Sequence, residues 1–478
     1  MQTSGVRLSS LIRQPVRPTA DWGHVLAGRV KFICAVFFFR VSLDACYVFY
    51  MNPVFGTHFL TPMPIDFGPI RYLLSYFLAL LPATFVPCDK KNFSGIFFLI
   101  ALMFIYLPLT CMFGLDATKH YTAIILALLA IGISFLIART ELTSTKIPIV
   151  PNGEKVAVYI SYAFVIYFIG YSFATGAVMN INFDFTKMYE YRDLTQEVLD
   201  VGFFSYLDLW AQKVFNPFIL AVGIYRKNRL MIIGAILCQI FFFAVTQHRD
   251  HLVLPIVVYL ASQLYVRRLT IAGLLMWSAM LLGALLILAV SADVEPIPSL
   301  IIRRAFFVPA SLTFDWIRLF SDLPKVYWSD GVLGSFLHTR YSGESVQYYA
   351  GYFISHGLRV NLNVGLVGTG FAQAGYIGVI LYAAILGFVV KIVNTMIHSG
   401  LPAFLPAALL FAPIGTAWGN ADLPAALLTH GIFVGIVVMW LYGSQKRRRS
   451  FGSKPVLARR EAIHGSGSAV ARRSRADA

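Results

Sequence analysis

Apolar residues run along this chain in long blocks, and short polar connections separate the blocks. A block of about 17–25 residues can cross about 30 Å of hydrocarbon as an α-helix. The blocks predict about 12 transmembrane helices, near 29–50, 70–88, 94–114, 119–138, 156–175, 203–225, 229–246, 252–267, 270–291, 371–394, 401–418 and 424–443. The predicted fold class is therefore an all-α polytopic membrane protein.

The same pattern divides the chain into regions. These are a cytoplasmic N-terminal segment (1–28), a transmembrane domain (29–443) with long periplasmic connections at about 176–202 and 292–362, and a basic disordered cytoplasmic tail (444–478). The connection at 292–362 has apolar positions at helical spacing, including Phe306 and Trp316. This spacing predicts amphipathic helices that lie on the outer membrane surface.

Composition and charge add orientation to this picture. Of 478 residues, 58% are hydrophobic and 13% are charged, which excludes a soluble enzyme, a secreted domain and a disordered chain. The net charge is +16, and Lys and Arg concentrate in alternate connections and in the tail. The positive-inside rule makes these connections and both termini cytoplasmic. The basic balance therefore indicates membrane orientation and contact with anionic lipids, and it predicts no nucleic-acid partner.

Few cations remain away from the cytoplasmic face, and they are the first candidates for chemistry. Arginine presents a planar, permanently charged fork to phosphate oxygens. Arg303 and Arg304 are adjacent, and Arg249 lies in the turn Thr246–His251. Each could hold an anionic lipid head group, or could be a solvated arginine at the membrane surface. The five cysteines have no metal-ligand spacing, so no metal site is predicted.

Three further features lie in or beside the spans. Arg40 and Asp44 are four residues apart and share a helix face, so we expect a structural ion pair. The charge of Lys213 is less easily neutralised by neighbouring residues than that of Arg40, and Lys213 could reach a buried diphosphate. A glycine-rich run after Asn361 and Asn363 could allow close helix packing, and the two asparagines could cap the helix or bind a sugar hydroxyl.

Three stretches of the chain resemble the bacterial O-antigen and capsular repeat-unit polymerases, the Wzy family. They are Tyr191-Arg192 with Tyr206, Trp210, Asn216-Pro217 and the Thr246–His251 turn; Arg304-Ala305-Phe306 with Pro309 and the run from Trp316 to Tyr327; and Asn361-x-Asn363-x-Gly365 through Phe371, Gly375-Tyr376 and Gly378. They cover about residues 190–390, and the earlier spans match in hydropathy alone. The family pattern has a glycine before the cation of the turn, where this chain has Gln247 and His248.

The resemblance implies a glycosyltransferase C-like fold in the bacterial inner membrane. It implies a metal-independent enzyme, without a cofactor, that joins undecaprenyl-diphosphate-linked oligosaccharide repeats at the periplasmic face. A chain-length regulator is a further candidate partner. The catalytic candidates are Arg304, Arg303, Arg249, Arg340, His338, Asp315 and Glu344. The candidates for substrate binding are Arg318, Arg359, Lys213, His248, Arg192, Asn361, Asn363, Trp316 and Tyr341.

Three other functions fit the same pattern. An O-antigen ligase would use the same donor with lipid A–core as acceptor, and a flippase or transporter would move the lipid-linked oligosaccharide. A transporter often shows internal repeats and charged, broken helices near the midplane. We find no repeat here, and most of the non-cytoplasmic charge lies in connections, which favours an enzyme. A non-catalytic scaffold would tolerate the loss of the loop arginines.

Overall fold

The structure is a computed structural model that describes residues 22–58, 61–87, 90, 92–140, 148–184, 188–199, 202, 204–248, 250–266, 269–291, 296–330, 341 and 345–452. Its α-helices are α1 Trp22–Cys46, α2 Asn52–Phe55, α3 Pro69–Leu80, α4 Phe93–Ala101, α5 Leu107–Leu115, α6 Thr122–Arg139, α7 Gly153–Ala174, α8 Met188–Leu199, α9 Phe204–Trp210, α10 Asn216–Arg226, α11 Arg229–Thr246, α12 Asp250–Val266, α13 Ile271–Ser291, α14 Pro296–Pro298, α15 Val308–Asp322, α16 Val346–Ile354, α17 Leu366–His398, α18 Phe404–Gly419, α19 Leu423–Leu428 and α20 Ile432–Gly452.

In the described residues, four π-helical segments join consecutive α-helices without a loop: π1 Tyr47–Met51, π2 Leu102–Tyr106, π3 Ala211–Phe215 and π4 Ser299–Phe307. A proline stands two residues after each of them, at Pro53, Pro108, Pro217 and Pro309. Proline lacks the backbone N–H, and its ring collides with the carbonyl four residues earlier. The wider π turn moves that carbonyl aside, so the helix passes the proline with a local distortion.

Eight of the helices in the described residues are long and apolar enough to cross a membrane. They are Leu26–Phe55, Phe93–Leu115, Thr122–Arg139, Gly153–Ala174, Arg229–Thr246, Ile271–Ser291, Leu366–His398 and Leu423–Gly443. The prediction of an all-helical polytopic membrane protein is thus confirmed at this level. The other four predicted spans correspond to shorter or interrupted helices: α3, α9–π3–α10, α12 and α18.

The helix α4–π2–α5 forms the centre of the bundle. Its apolar window is 94% buried, whereas the windows of α7 and α13 are 28% buried. A helix that is hydrophobic on every side is suited to the centre of a bundle as well as to contact with lipid. The sequence Phe93–Leu115 is of this kind. It is contacted, directly or through its π segment, by α1, α6, α15, α17 and α18.

The basic connections meet at one end of the bundle. There Arg226 pairs with Glu154 at 2.5 Å, Lys391 donates to the Thr140 hydroxyl at 2.8 Å, and Lys90 donates to the Leu264 carbonyl at 2.6 Å. We call this the basic end. Residues 61–68, 116–121 and 175–184 and the turn residues Gln247 and His248 lie at the opposite end, because α3, α6, α8–α9 and α12 begin there.

The predicted surface helices at 292–362 differ from the observed ones. The segment π4–α15 packs inside the bundle, and every residue from Pro309 to Ile317 is buried. Phe306 stacks on Phe104 at 5.4 Å, and Phe39 packs against the Phe306 edge. Amphipathic spacing does not distinguish a helix on a lipid surface from one that lies between other helices. The helix therefore belongs to the core rather than to the membrane surface.

Two helices extend past the predicted bounds of the transmembrane domain. Helix α1 begins at Trp22 rather than 29, and α20 continues to Gly452, so the first nine residues of the predicted tail are helical. Residues 453–478 lie outside the described residues.

Helix α17 begins at Leu366, earlier than predicted, and folds back sharply at Ala374 and Gly375. Gly375 has a φ of 62°, and neither residue has helical angles. In a straight helix Gly370 and Gly378 would be about 12 Å apart. Here an added Cβ on Gly378 would lie 2.0 Å from the Gly370 carbonyl oxygen. The glycine run thus allows close helix packing, which was one of the two roles expected of it.

Candidate functional site

Lys213 is held in place by the distortion of π3. The carbonyl that would collide with the Pro217 ring is that of Lys213, four residues earlier. The Asn216 N–H instead bonds to the Ala211 carbonyl, five residues back. Such π turns within α-helices are rare and frequently occur at functional sites. Lys213 therefore lies in a turn whose backbone differs from that of a regular α-helix.

Lys213 forms an ion pair with Asp250, the first residue of α12. The Lys213 Nζ lies 2.9 Å from an Asp250 carboxylate oxygen, and the two side chains are 18% and 44% exposed. A carboxylate in the first turn also interacts favourably with the helix dipole. Lys213 is therefore the more buried partner, and the Asp250 carboxylate can be reached from the end of the bundle opposite the basic end.

Three histidines surround this pair. His248 precedes α12, His251 lies in its first turn, and His430 lies between α19 and α20. The side chains of His248 and His251 are 6.0 Å apart, measured between ring centres. We call Lys213, His248, Asp250, His251 and His430 the Lys213 cluster.

The charges of the cluster are set by burial and by Lys213. Burial lowers the pKa of His248 to about 4, and Lys213 and Arg192 add to this effect while Asp250 opposes it. His248 is therefore neutral at pH 7. Burial acts to raise the pKa of Asp250, but the positive charge of Lys213 outweighs it, and the pKa lies well below its usual range. The carboxylate is therefore ionised beside a neutral imidazole.

The buried side-chain amides of Asn216 and Gln239 connect the cluster to the neighbouring helices. The Asn216 amide donates to the Gln239 side-chain oxygen at 2.5 Å and to the Ala235 carbonyl at 2.9 Å. The Gln239 amide in turn lies 3.3 Å from Nδ1 of the fully buried His251. These contacts connect α10, α11 and α12, so the cluster stands on a rigid base.

The turn that carries His248 has an unusual backbone. Gln247 has a φ of 58°, a left-handed conformation that glycine adopts most readily. Its side chain compensates by donating to the Asn182 carbonyl at 2.8 Å and the Ala244 carbonyl at 2.6 Å. These two hydrogen bonds hold the turn in a backbone conformation that is uncommon for glutamine.

A second charged group lies at the same end of the bundle. The buried side chains of Lys119 and Asp315 are 3.6 Å apart, and the exposed Arg318 lies 3.8 Å from the same carboxylate oxygen. With His120 and Ser321 they line a cavity of about 290 Å³. This volume is near the lower limit of ordinary ligand pockets, about 300 Å³.

The adjacent residues Arg303 and Arg304, predicted to act together, lie on different faces of π4. The Arg303 guanidinium lies 3.1 Å from Nε2 of His58, 3.5 Å from the Thr61 hydroxyl and 4.4 Å from the centre of the Phe55 ring. Arg304 is exposed on another face of π4. The two guanidiniums therefore do not act as one fork in this structure.

The remaining candidates are dispersed. Trp316 and Tyr341 are fully buried, and the Tyr341 hydroxyl donates to the Pro324 carbonyl at 2.6 Å. The structure thus encloses both rings instead of presenting a face to a sugar. Asn361, Asn363 and Arg359 are exposed, and Arg359 lies 5.3 Å from the Tyr348 ring. Arg249, Arg340, His338 and Glu344 lie outside the described residues.

The structure therefore brings Lys213, His248 and Arg192 together, and separately Asp315 and Arg318. Sequence analysis missed Asp250, His251, His430 and Lys119 as site residues. Asp250 and His251 stood in the turn already noted, whereas His430 gave only the weak signal of a polar residue before a glycine. Lys119 was visible as a cation away from the basic connections.

The Lys213 cluster has the components of acid–base and anion chemistry. It offers an ammonium group, an ionised carboxylate and a neutral imidazole, with Arg192 nearby. Across the described part of the chain, no group of three or more His, Cys, Asp and Glu side chains is placed to hold a metal ion.

Comparison with models of known protein families, with curated proteins and with solved structures finds no match.

Proposed function

We propose that this chain is a membrane glycosyltransferase of the polysaccharide polymerase kind. It joins undecaprenyl-diphosphate-linked oligosaccharide repeats into O-antigen or capsular polysaccharide at the periplasmic face of the bacterial inner membrane. In this proposal the four shorter apolar helical segments complete 12 crossings of a glycosyltransferase C-like fold. The support for the family is the resemblance in residues 190–390, of which the Lys213 region is a part.

The observation that carries the proposal is the ion pair between Lys213 and Asp250. A diphosphate is a stronger partner for an ammonium group than one carboxylate, because it carries more charge. When the donor diphosphate binds Lys213, Asp250 loses its counter-ion. The pKa of Asp250 then rises, and the carboxylate becomes a better base at the moment when the donor is present.

The bonds in the proposed reaction balance as follows. The acceptor hydroxyl oxygen forms a bond to the anomeric carbon of the donor sugar, and the bond from this carbon to the diphosphate oxygen breaks. The hydroxyl proton passes to Asp250. The electron pair of the broken bond remains on the diphosphate, where Lys213 and Arg192 stabilise the charge.

The test is the glycan ladder of a deletion strain complemented with variants. The deletion is expected to leave lipid-linked material capped with a single repeat, and loss of that form as well would favour a ligase or a flippase. Lys213→Met and Asp250→Asn are expected to reduce products of two or more repeats at least tenfold. Lys213→Arg, which keeps the charge, should retain more activity than Lys213→Met.

Lys155→Gln serves as the matched control, because Lys155 is an exposed lysine at the basic end. It is expected to give a normal ladder. A normal ladder from Lys213→Met, with equal protein in the membrane, would contradict the role of the cluster. A normal ladder from the deletion strain itself would contradict the proposed function.

A further inference from the structure

A large polar cavity opens at the basic end, away from the Lys213 cluster. Its volume is about 880 Å³, and Arg29, Arg139, Lys391 and His398 contribute to its wall. Among the described residues that line it, none is an aspartate or a glutamate. The proposed reaction uses none of these side chains.

The three permanent cations come from separate helices and are held by neutral groups. Arg29 Nη1 donates to the Ala83 carbonyl at 3.0 Å and to the Val86 carbonyl at 2.5 Å. Lys391 donates to the Thr140 hydroxyl at 2.8 Å. Among the described residues, none of Arg29, Arg139 and Lys391 forms an ion pair with a carboxylate. Their positive charges therefore lie beside the cavity without a described carboxylate partner, which favours an anion inside it.

The first turn of α4 adds a second attraction for an anion. Asn92 and Ser94, on either side of the first residue of α4, line the cavity. Asn394 fixes this helix end, because its side-chain oxygen accepts from the Phe93 N–H at 2.9 Å and its amide donates to the Ser94 hydroxyl at 2.7 Å. The N–H groups of a first helical turn carry partial positive charge and commonly bind phosphate.

The cavity also has an apolar side. Phe85, Phe98 and Phe135 line it together with the cations. A ligand that combines a phosphate with hydrocarbon would satisfy both parts, and an anionic phospholipid has this chemistry. A free phosphate would satisfy the cations alone.

We propose that this cavity binds the phosphate of an anionic phospholipid head group at the basic end of the bundle. The three cations and the first turn of α4 bind the phosphate, and the phenylalanines contact the adjoining hydrocarbon. The bound lipid links α4 to α1, α6 and α17, and it neutralises the like charges of Arg29, Arg139 and Lys391. This site is independent of the proposed transferase activity.

The test measures binding of fluorescent phosphatidylglycerol and phosphatidylcholine to the purified full-length protein in detergent. The wild-type protein is expected to bind phosphatidylglycerol at least tenfold more tightly. Arg139→Gln with Lys391→Gln should remove most of this preference, and Lys155→Gln should leave it unchanged. Displacement of fluorescent phosphatidylglycerol by inorganic phosphate at the same concentration as by unlabelled phosphatidylglycerol would identify a free phosphate as the occupant and overturn the lipid proposal.

Equal binding of the two lipids by the wild-type protein would also overturn it, and this comparison needs no variant. The same holds if Lys155→Gln weakens phosphatidylglycerol binding as much as the double variant does. Gel filtration of each variant establishes that a loss of binding comes from a folded protein.

Discussion

Arg40 lies in the middle of α1 with no exposed surface, and its partner is on the same helix. Its guanidinium pairs with Asp44, as expected from their spacing, and donates to the Ser75 hydroxyl at 3.0 Å and to the Thr110 carbonyl at 3.2 Å. The Asp44 carboxylate accepts from Tyr76 at 2.6 Å and from Tyr72 at 2.8 Å. The expected ion pair is confirmed, and the polar groups around it join α1, α3 and α5.

Asp44→Asn is expected to lower the free energy of unfolding by about 3–5 kcal/mol, because it leaves the buried charge of Arg40 without its counter-ion. Thermal unfolding in detergent measures the change. Ser42→Ala on the same helix is the control and should change the free energy by about 0.5 kcal/mol or less. A cost for Asp44→Asn no larger than that of the control would show that the pair is not needed for stability.

The lowered pKa of His248 leads us to expect that the stability of the protein depends on pH. Its pKa in the folded protein, about 4, is below the ordinary value of about 6.5. The unfolded chain therefore binds a proton first as the pH falls. The resulting stability is fully present above about pH 6.5 and is lost toward pH 4.

The wild-type protein should therefore lose more thermal stability between pH 7 and pH 4.5 than His248→Gln does. The comparison of the two proteins removes the effect of other groups that titrate in this range. An equal loss in both would show that His248 does not carry this dependence.

At the scale of the helix, glycine positions decide how closely segments pack. Gly378→Ala places a methyl group against the Gly370 carbonyl oxygen, which an added Cβ would approach to 2.0 Å. We expect a loss of about 1–3 kcal/mol or more, since backbone atoms must move apart.

Gly283→Ala in α13 is the matched control, because nothing lies within 4 Å of its added Cβ. Alanine is a better helix former than glycine by about 1 kcal/mol, so this variant should be neutral or more stable. Thermal unfolding of both variants makes the comparison. Equal stability of the two would contradict the close packing at Gly370.

At the scale of the whole molecule, the sequence predicts well where the helices lie along the chain, and it predicts poorly which helices pack against one another. The eight long apolar helices could be located, because composition and length alone determine them. The burial of π4–α15 could not be predicted, because its amphipathic pattern fits a membrane surface equally well. Lys213 and Asp250 are 37 residues apart, and no local rule pairs them; only the packing of α10, α11 and α12 does so.

Orientation across the membrane is testable for the whole molecule. In a variant without the native cysteines, Tyr121→Cys probes the end opposite the basic connections, and Lys155→Cys probes the basic end. Both positions are exposed. A maleimide that cannot cross the membrane should label Tyr121→Cys in intact spheroplasts, and Lys155→Cys only after permeabilisation. The reverse pattern would contradict the predicted orientation.

The π turn at 211–215 has a consequence for how this chain varies in evolution. A π turn holds about one residue more than an α turn, so α9 and α10 differ in register by a single position. Loss of one residue between Ala211 and Phe215 would convert the π turn into an α turn, with α9 and α10 in nearly their present orientation and the side chains within the turn displaced. A relative with a one-residue gap here would retain the bundle, and a lysine in this turn would no longer be placed to pair with Asp250. Under the proposed function, such a gap in an alignment would mark a change of activity.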